Sequence, residues 1–375
     1  MNLYWYWPFL RREELMLAPT VVGSGDHLVV HTTPRCSDPI TSPIAECEIR
    51  PTLPAVGDHN EGSTAWMISR AATYLKRARA RHRVVAREQF DVAHVIYLNP
   101  FTDALSLAAL ARRVPLVCTV HDVVPHQPRV PKPVEDRLLT MQYRRAGTIV
   151  THHAAVRREL IARFPVDPTR VVVIPLPVAA VDDPLTPRHA PPSGPPTVLF
   201  FGAFRRNKGI DVLLEAIAAL GPDVPARFVF AGRGFADVER LVVDAARVDP
   251  RIEVELGYAT AARKHELHRD ADLMVLPYTS FASQSAVLQD AYAHRLPLVV
   301  TDVGALGETV RDDDTGWVVP PDDVDALGAA LLSALADSGA RTHAAEAADV
   351  AARARTPSIV GAQLRALYES VARSP

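Results

Sequence analysis

Short runs rich in β-branched and aromatic residues alternate along the chain with longer segments whose apolar positions recur at helical spacing. That alternation is the mark of βαβ units and parallel sheets. In the first half the clearest strand candidates are DVAHVIYL ending before Asn99, PLVCTV ending before His121, GTIVT ending before His152, and RVVVIP. In the second half they are PTVLFFG, ARFVFAG, DLMVLPY and LPLVVT. GIDVLLEAIAAL fills one gap as a helix, with Val212, Leu213, Ala216 and Leu220 at helical spacing. DDPLTPRHAPPSGPP, Asp182 to Pro196, carries six prolines and a glycine, which exclude helix interior and central strand alike. The pattern predicts an α/β chain of two doubly wound domains: 1–181, a linker at 182–196, a second domain at 197–355, and a last helix at 356–375 that packs back on the first domain.

With 375 residues there is room for two cores, and 48% hydrophobic with 22% charged residues is the balance of a soluble globular protein. A net charge of -2 gives no global reason to expect nucleic acid as a partner. Cys36, Cys47 and Cys118 form neither a paired disulfide framework nor a metal motif, so structural thiols in a reducing compartment are expected. MNLYWYWPFLRREEL has its basic pair after a short apolar stretch, the wrong order for a signal peptide, and no apolar run approaches the ~20 residues of a membrane span. A cytoplasmic location follows as an expectation. The basic segment Tyr74 to Arg87, YLKRARARHRVVAR, is of the kind that lies on anionic lipid, so peripheral membrane contact is one reading and a solvated helix face the other.

Polar residues collect where the strands end: Asn99, His121, Asp122, His152 and His153 in the first half, Arg205, Lys208, Arg233, Gln284 and Asp302 in the second. Ligands of parallel α/β sheets bind at the carboxyl ends of strands, where helix N-termini also point. Two such crests facing across a hinge would make a ligand cleft. In FFGAFRRNKGIDVLLEA, Arg205, Arg206 and Lys208 stand where a helix begins. Cations there oppose the macrodipole by ~0.3–1 kcal/mol each unless an anion joins them. A diphosphate would offset that cost, and Gly202 and Gly209 would let it approach the backbone. The next helix start, SQSAVLQD, offers amides near Ser283 to Ala286, with Gln289 projecting toward the same crest; plain serine capping explains the same residues. FVFAGRGFAD begins like a dinucleotide fingerprint at Gly232 and Gly234, but its third glycine position is Asp237, so close backbone approach is the better reading. His152 and His153 are adjacent in a strand and point to opposite faces, which does not make a metal pair.

FGAFRRNKGIDVLLEA and SQSAVLQDAYAHRLPLVVTDVGALGETVRDDDTGWVVPPDD together resemble the retaining glycosyltransferases of GT-B fold, family 4. Gly202, Arg205, Lys208 and Gly209 fall on that family's glycine, arginine and Lys-Gly; TVHDVVPH and YLNPFTDALSLAAL look like its acceptor domain. The likeness spans most of residues 91–330. It implies two Rossmann-like domains facing across a cleft and a nucleoside-diphosphate sugar held by the second. Arg205 and Lys208 would clamp the diphosphate, with Gly202, Gly209, Gly232, Ser283, Gln284, Ser285, Ala286 and Gln289 around the donor. A small-molecule or glycan acceptor would sit by Asn99, Asp103, Asp122 and His126, with His121 orienting the sugar or serving as general base. Hexosyl transfer with retention, without metal or cofactor, is implied. Phe281 and Gln289 stand where many members carry two glutamates eight positions apart. Gln289 offers one acceptor and one donor in place of a carboxylate, and Asp290 could replace it only with a shifted helix register. A nucleotide-binding module without transfer and a nucleotide-sugar epimerase are the alternatives.

Overall fold

The computed structural model describes residues 1–8, 12–34, 44–55, 64–124, 131–179, 194–280 and 284–373. Most of the proline-rich stretch expected as a linker lies outside them. The chain divides into two compact units, residues 1–175 with 357–375, and residues 176–356.

The first unit runs β1 (Asn2–Tyr6), α1 (Ala18–Val21), β2 (His27–His31), β3 (Cys47–Arg50), α2 (Thr64–Arg87), β4 (Val92–Val95), α3 (Pro100–Ala111), β5 (Leu116–Val120), α4 (Lys132–Arg145), β6 (Thr148–Thr151), α5 (Ala154–Arg163) and β7 (Val171–Val173). Its sheet is parallel in the order β3-β2-β1-β4-β5-β6-β7, the strands being added outward on one side up to β3 and on the other side from β4 on.

In the second unit follow β8 (Thr197–Phe204), α6 (Ile210–Ala219), β9 (Arg227–Gly234), α7 (Ala236–Val248), β10 (Ile252–Leu256), α8 (Ala261–Asp270), β11 (Leu273–Leu276), α9 (Ala286–Ala293), β12 (Leu298–Thr301), α10 (Leu306–Asp312), β13 (Gly316–Val319), α11 (Val324–Ala336) and α12 (Ser338–Arg353). This sheet is parallel in the order β10-β9-β8-β11-β12-β13. The unbroken apolar run TVLFF in β8 is explained by helices on both faces. Val198 and Phe200 pack with Leu213, Val238 and Leu327 on one side, and Leu199 packs with Leu267, Leu288 and Tyr292 on the other.

The last helix, α13 (Pro357–Arg373), is part of the first unit. Val360, Leu364 and Tyr368 complete the core around Trp5, Trp7 and Val21. Trp5 Nε1 donates to the Tyr368 hydroxyl at 3.0 Å, that hydroxyl lies 2.6 Å from His94 Nδ1, and His94 Nε2 lies 2.7 Å from Thr119 Oγ1. A single proton assignment satisfies all four groups: the Tyr368 hydroxyl donates to Nδ1, and Nε2–H donates to Thr119. Burial pushes His94 down to about 3, which keeps it neutral.

The basic segment of α2 divides between interior and surface. Arg77 and Arg81 are buried, Arg77 Nε donating to the Pro54 carbonyl at 2.7 Å and Arg81 pairing with Asp103 at 2.6 Å. Lys76, Arg79, Arg83 and Arg87 face solvent. The expected continuous basic face is therefore interrupted, because two of its arginines tie α2 to its neighbours.

Candidate functional site

Where β8 ends, Arg205 is extended and the chain makes one 3₁₀ turn over Arg206–Lys208 before α6. Gly209 closes that turn at φ +60°, and a Cβ on it would stand 1.8 Å from the Pro277 carbonyl oxygen. Only glycine fits there. The turn is laced to the segment after β11: Thr279 N donates to Asn207 O at 3.1 Å, and Asn207 Nδ2 donates to Ser280 O at 3.1 Å. Lys208 Nζ sits 3.4 Å from the centre of the Tyr278 ring, a cation–π contact that holds the ammonium in place. Burial raises the Tyr278 phenol to about 12, so it stays neutral, and its hydroxyl lies 3.4 Å from Ser285 Oγ.

Ser285 precedes α9, but its side chain does not cap the helix. Expected as a cap, it turns to Tyr278 instead. Leu288 and Gln289 are the first residues of the helix whose amides bond back to Ser285 O, at 3.2 and 3.4 Å, so the amides of Ala286 and Val287 have no helical acceptor. Gly202 lies against the same turn, since a Cβ there would meet Val287 at 3.7 Å. Beside it in the sheet Gly232, at φ +156°, leaves room for the Gly202 carbonyl, which a side chain would strike at 1.8 Å. FVFAGRG is thus a site of close strand approach.

Gln289 is only 6% exposed, and neither Oε1 nor Nε2 has a hydrogen-bond partner among the described residues. Buried carboxamides are nearly always bonded, so two orphaned ends mark a place prepared for a ligand or water. Asp290 does not take its place, because its carboxylate is 2.6 Å from Lys264 Nζ. Gln284 is buried, its Nε2 at 3.5 Å from Thr309 Oγ1. Arg206 pairs with Asp237 and Asp302 with Arg311, whereas the exposed Arg205 side chain makes no hydrogen bond or ion pair with any described residue. With Asp237, Asp290 and Asp302 each matched to a cation, Arg205, Lys208 and the first amides of α9 leave this crest suited to an anion. Arg233 lies 5.4 Å from the exposed Tyr258 ring.

In the first unit His121 follows β5 and donates from Nε2 to the Ile96 carbonyl at 3.0 Å. It stacks on Tyr97 at 4.6 Å, and His152 leans on it at 4.9 Å. Burial lowers the His121 imidazole below its usual range, against the pull of Asp122 and the Ile96 carbonyl. His152 donates from Nδ1 to Ile174 O at 3.0 Å, and burial followed by His121 brings it down to about 3. His153 caps α5, accepting from Ala155 N at 3.1 Å.

Asn99 opens α3, its side chain accepting from Thr102 N at 3.3 Å. Asp103, expected beside an acceptor, is engaged within its own unit. Its Oδ1 takes Arg81 at 2.6 Å and Ser106 at 3.2 Å, and Oδ2 takes the Asn99 amide at 2.7 Å. Buried, with three of its four lone-pair sites taken, it braces α2 against α3. Asp122 flanks His121 with its backbone carbonyl 3.4 Å from the Tyr143 hydroxyl. His126, Phe281 and Ser283 lie outside the described residues. Tyr97 and Tyr278 were overlooked in the sequence, although both follow strand ends, the signal that picked out the histidines.

Two parallel doubly wound sheets, each with its polar groups gathered at the carboxyl ends of its strands, define an α/β protein of the GT-B fold. The family described as Glycosyltransferase Family 4 matches residues 20–180, and that described as Glycosyl transferases group 1 matches residues 195–337. A phosphatidyl-myo-inositol mannosyltransferase of Mycolicibacterium smegmatis is 30% identical over 308 residues, 78% of this chain and 75% of its own. A glycogen synthase of Mycobacterium tuberculosis is 26% identical over 350 residues, 88% and 83% of the two chains. Among solved structures, sucrose-phosphate synthase from Thermosynechococcus elongatus superposes with a TM-score of 0.74 at 18% identity, over 99% of each chain. Anabaena HepE in complex with UDP-glucose gives a TM-score of 0.67 at 15% identity, again over 99% of each. The chain belongs to the group 1, family 4 glycosyltransferases.

Proposed function

We propose that this glycosyltransferase moves a hexosyl group from a nucleoside-diphosphate sugar to a hydroxyl acceptor with retention of anomeric configuration and without a metal ion. The observation that carries the donor reading is the Gln289 carboxamide, unpartnered among the described residues, one turn inside a helix whose first amides have no helical acceptor and whose start is flanked by Lys208. A ribose diol would satisfy both ends of that carboxamide, one hydroxyl donating to Oε1 and the other accepting from Nε2. The diphosphate would meet Arg205, Lys208 and the amides of Ala286 and Val287.

Transfer breaks the bond between the anomeric carbon and the diphosphate oxygen and forms one to the acceptor oxygen on the same face. The acceptor's proton passes to the departing phosphate. Negative charge grows on the diphosphate as the sugar becomes cationic, and Lys208, held over Tyr278, with Arg205 and a helix N-terminus stabilises that charge where it develops. The mannosyltransferase relative and the neighbour solved with UDP-glucose support this donor class.

The test is a thermal-shift panel of UDP, GDP, ADP, CDP and dTDP, followed by the matching sugars. One nucleotide should stabilise the chain. Gln289→Ala should weaken that nucleotide while leaving free pyrophosphate unchanged; equal loss for both would overturn the ribose contact. Nucleotide binding without transfer or donor hydrolysis across the panel would instead make the chain a binding module.

A further inference from the structure

We propose that Tyr97 and His152 are positioning residues that clamp the His121 ring in the orientation in which the Ile96 carbonyl sets its tautomer, so that only its Nδ1 is left to meet a substrate, as a hydrogen-bond acceptor. The proposal rests on the reading above that the crest of the first unit engages a hydroxyl-bearing substrate. Its basis is the sheet itself. β4, β5 and β6 are parallel neighbours, and each is followed by one of the three rings. Neighbouring strands lie about 4.8 Å apart. The ring centres are 4.6 Å apart for Tyr97 and His121 and 4.9 Å for His121 and His152, so the stack repeats the strand spacing.

Within this stack the protons are assigned by their partners. A carbonyl oxygen only accepts, so the Ile96 carbonyl at 3.0 Å fixes a proton on His121 Nε2 and leaves the lone pair on Nδ1. The Ile174 carbonyl does the same for His152 Nδ1, leaving its Nε2 as an acceptor that has no partner. A second proton on His121 would place a cation between two rings in a half-buried layer. Among the described residues Tyr97 flanks His121 from the β4 end and His152 from the β6 end, His94 is near enough to feel both histidines, and Asp122 and the Ile96 carbonyl favour the charged form. Burial outweighs Asp122, and His121 stays neutral. It then accepts from a substrate hydroxyl and neither donates a proton nor supplies positive charge.

Imidazole NMR titration of the whole chain tests this without knowledge of the acceptor. In the wild type His121 should titrate below the ordinary histidine value of about 6.5 and carry its proton on Nε2. Tyr97→Phe keeps the ring and should leave that value unchanged. His152→Ala or Tyr97→Ala opens the stack to water and should raise it toward the ordinary value, with a matching upward shift in the acid limb of donor hydrolysis. An unchanged His121 titration and tautomer in both alanine variants, in chains with wild-type melting, overturns the clamp. Wild-type turnover in His121→Ala is a separate outcome that removes the substrate reading on which the clamp depends.

Discussion

At the scale of single residues, the second crest separates two arginines that are adjacent in the chain. Arg206 is taken by Asp237, whereas Arg205 is uncommitted and Lys208 is pinned over Tyr278. Arg205→Ala and Lys208→Ala should each lower turnover on the order of a hundredfold, the cost of removing one charge-stabilising contact from a transition state. Arg206→Ala should change it little. Steady-state kinetics on folded variants decide this, and unchanged turnover in Arg205→Ala would sink the diphosphate assignment. Arg205 and Lys208 were legible from their place between a strand and a helix. That Arg206 was spent elsewhere was not, because Asp237 lies 31 positions away in the chain and is brought close only by the pairing of β8 with β9.

Among elements, α2 shows best how an apparent surface pattern is divided by packing. Its arginines look alike in sequence, yet Arg81 is fully buried against Asp103. Asp103→Ala leaves that guanidinium without its partner and should cost about 3–5 kcal/mol of stability, while Arg81→Met combined with Asp103→Leu should recover most of it. Urea unfolding of the three chains measures this; a near-neutral Asp103→Ala would mean that the pair is not what braces α2 against α3. Strand recognition followed the same rule of context. Most of the continuous apolar strands were readable, the edge strand β7 among them, but β1, NLYWY, and β2, HLVVH, were not, since each carries polar residues within a short run. The edge strand β10, IEVEL, alternates glutamates with apolar residues, and β13, GWVV, is short and begins on a glycine. Each departs from the continuous apolar run on which the reading relied.

For the whole molecule, stability should fall in acid. Burial brings His31 to about 4 and both His94 and His152 to about 3, while an unfolded chain protonates them near 6.5. Their neutral forms are therefore compatible with full stability above about pH 6.5, and stability is lost as pH falls from there toward about 3, because the unfolded state takes up protons that the folded state refuses. Urea midpoints across that range should decline with an unchanged m value; a flat profile would mean that these histidines bind protons in the fold. His94 ties this behaviour to the C-terminal helix, since its partner Tyr368 belongs to α13.

The sequence by itself determined the α/β class, most of the central strands, the glycines at close backbone approaches and the polar residues at strand ends, because these depend on local periodicity and on the steric demands of one residue. Tertiary structure alone decided which charges were free, which histidines shared a stack, and that Gln289 was buried with both ends unpartnered. Those properties depend on neighbours remote in the chain. A hydrogen bond or ion pair is a relation between two residues, and only folding supplies the second.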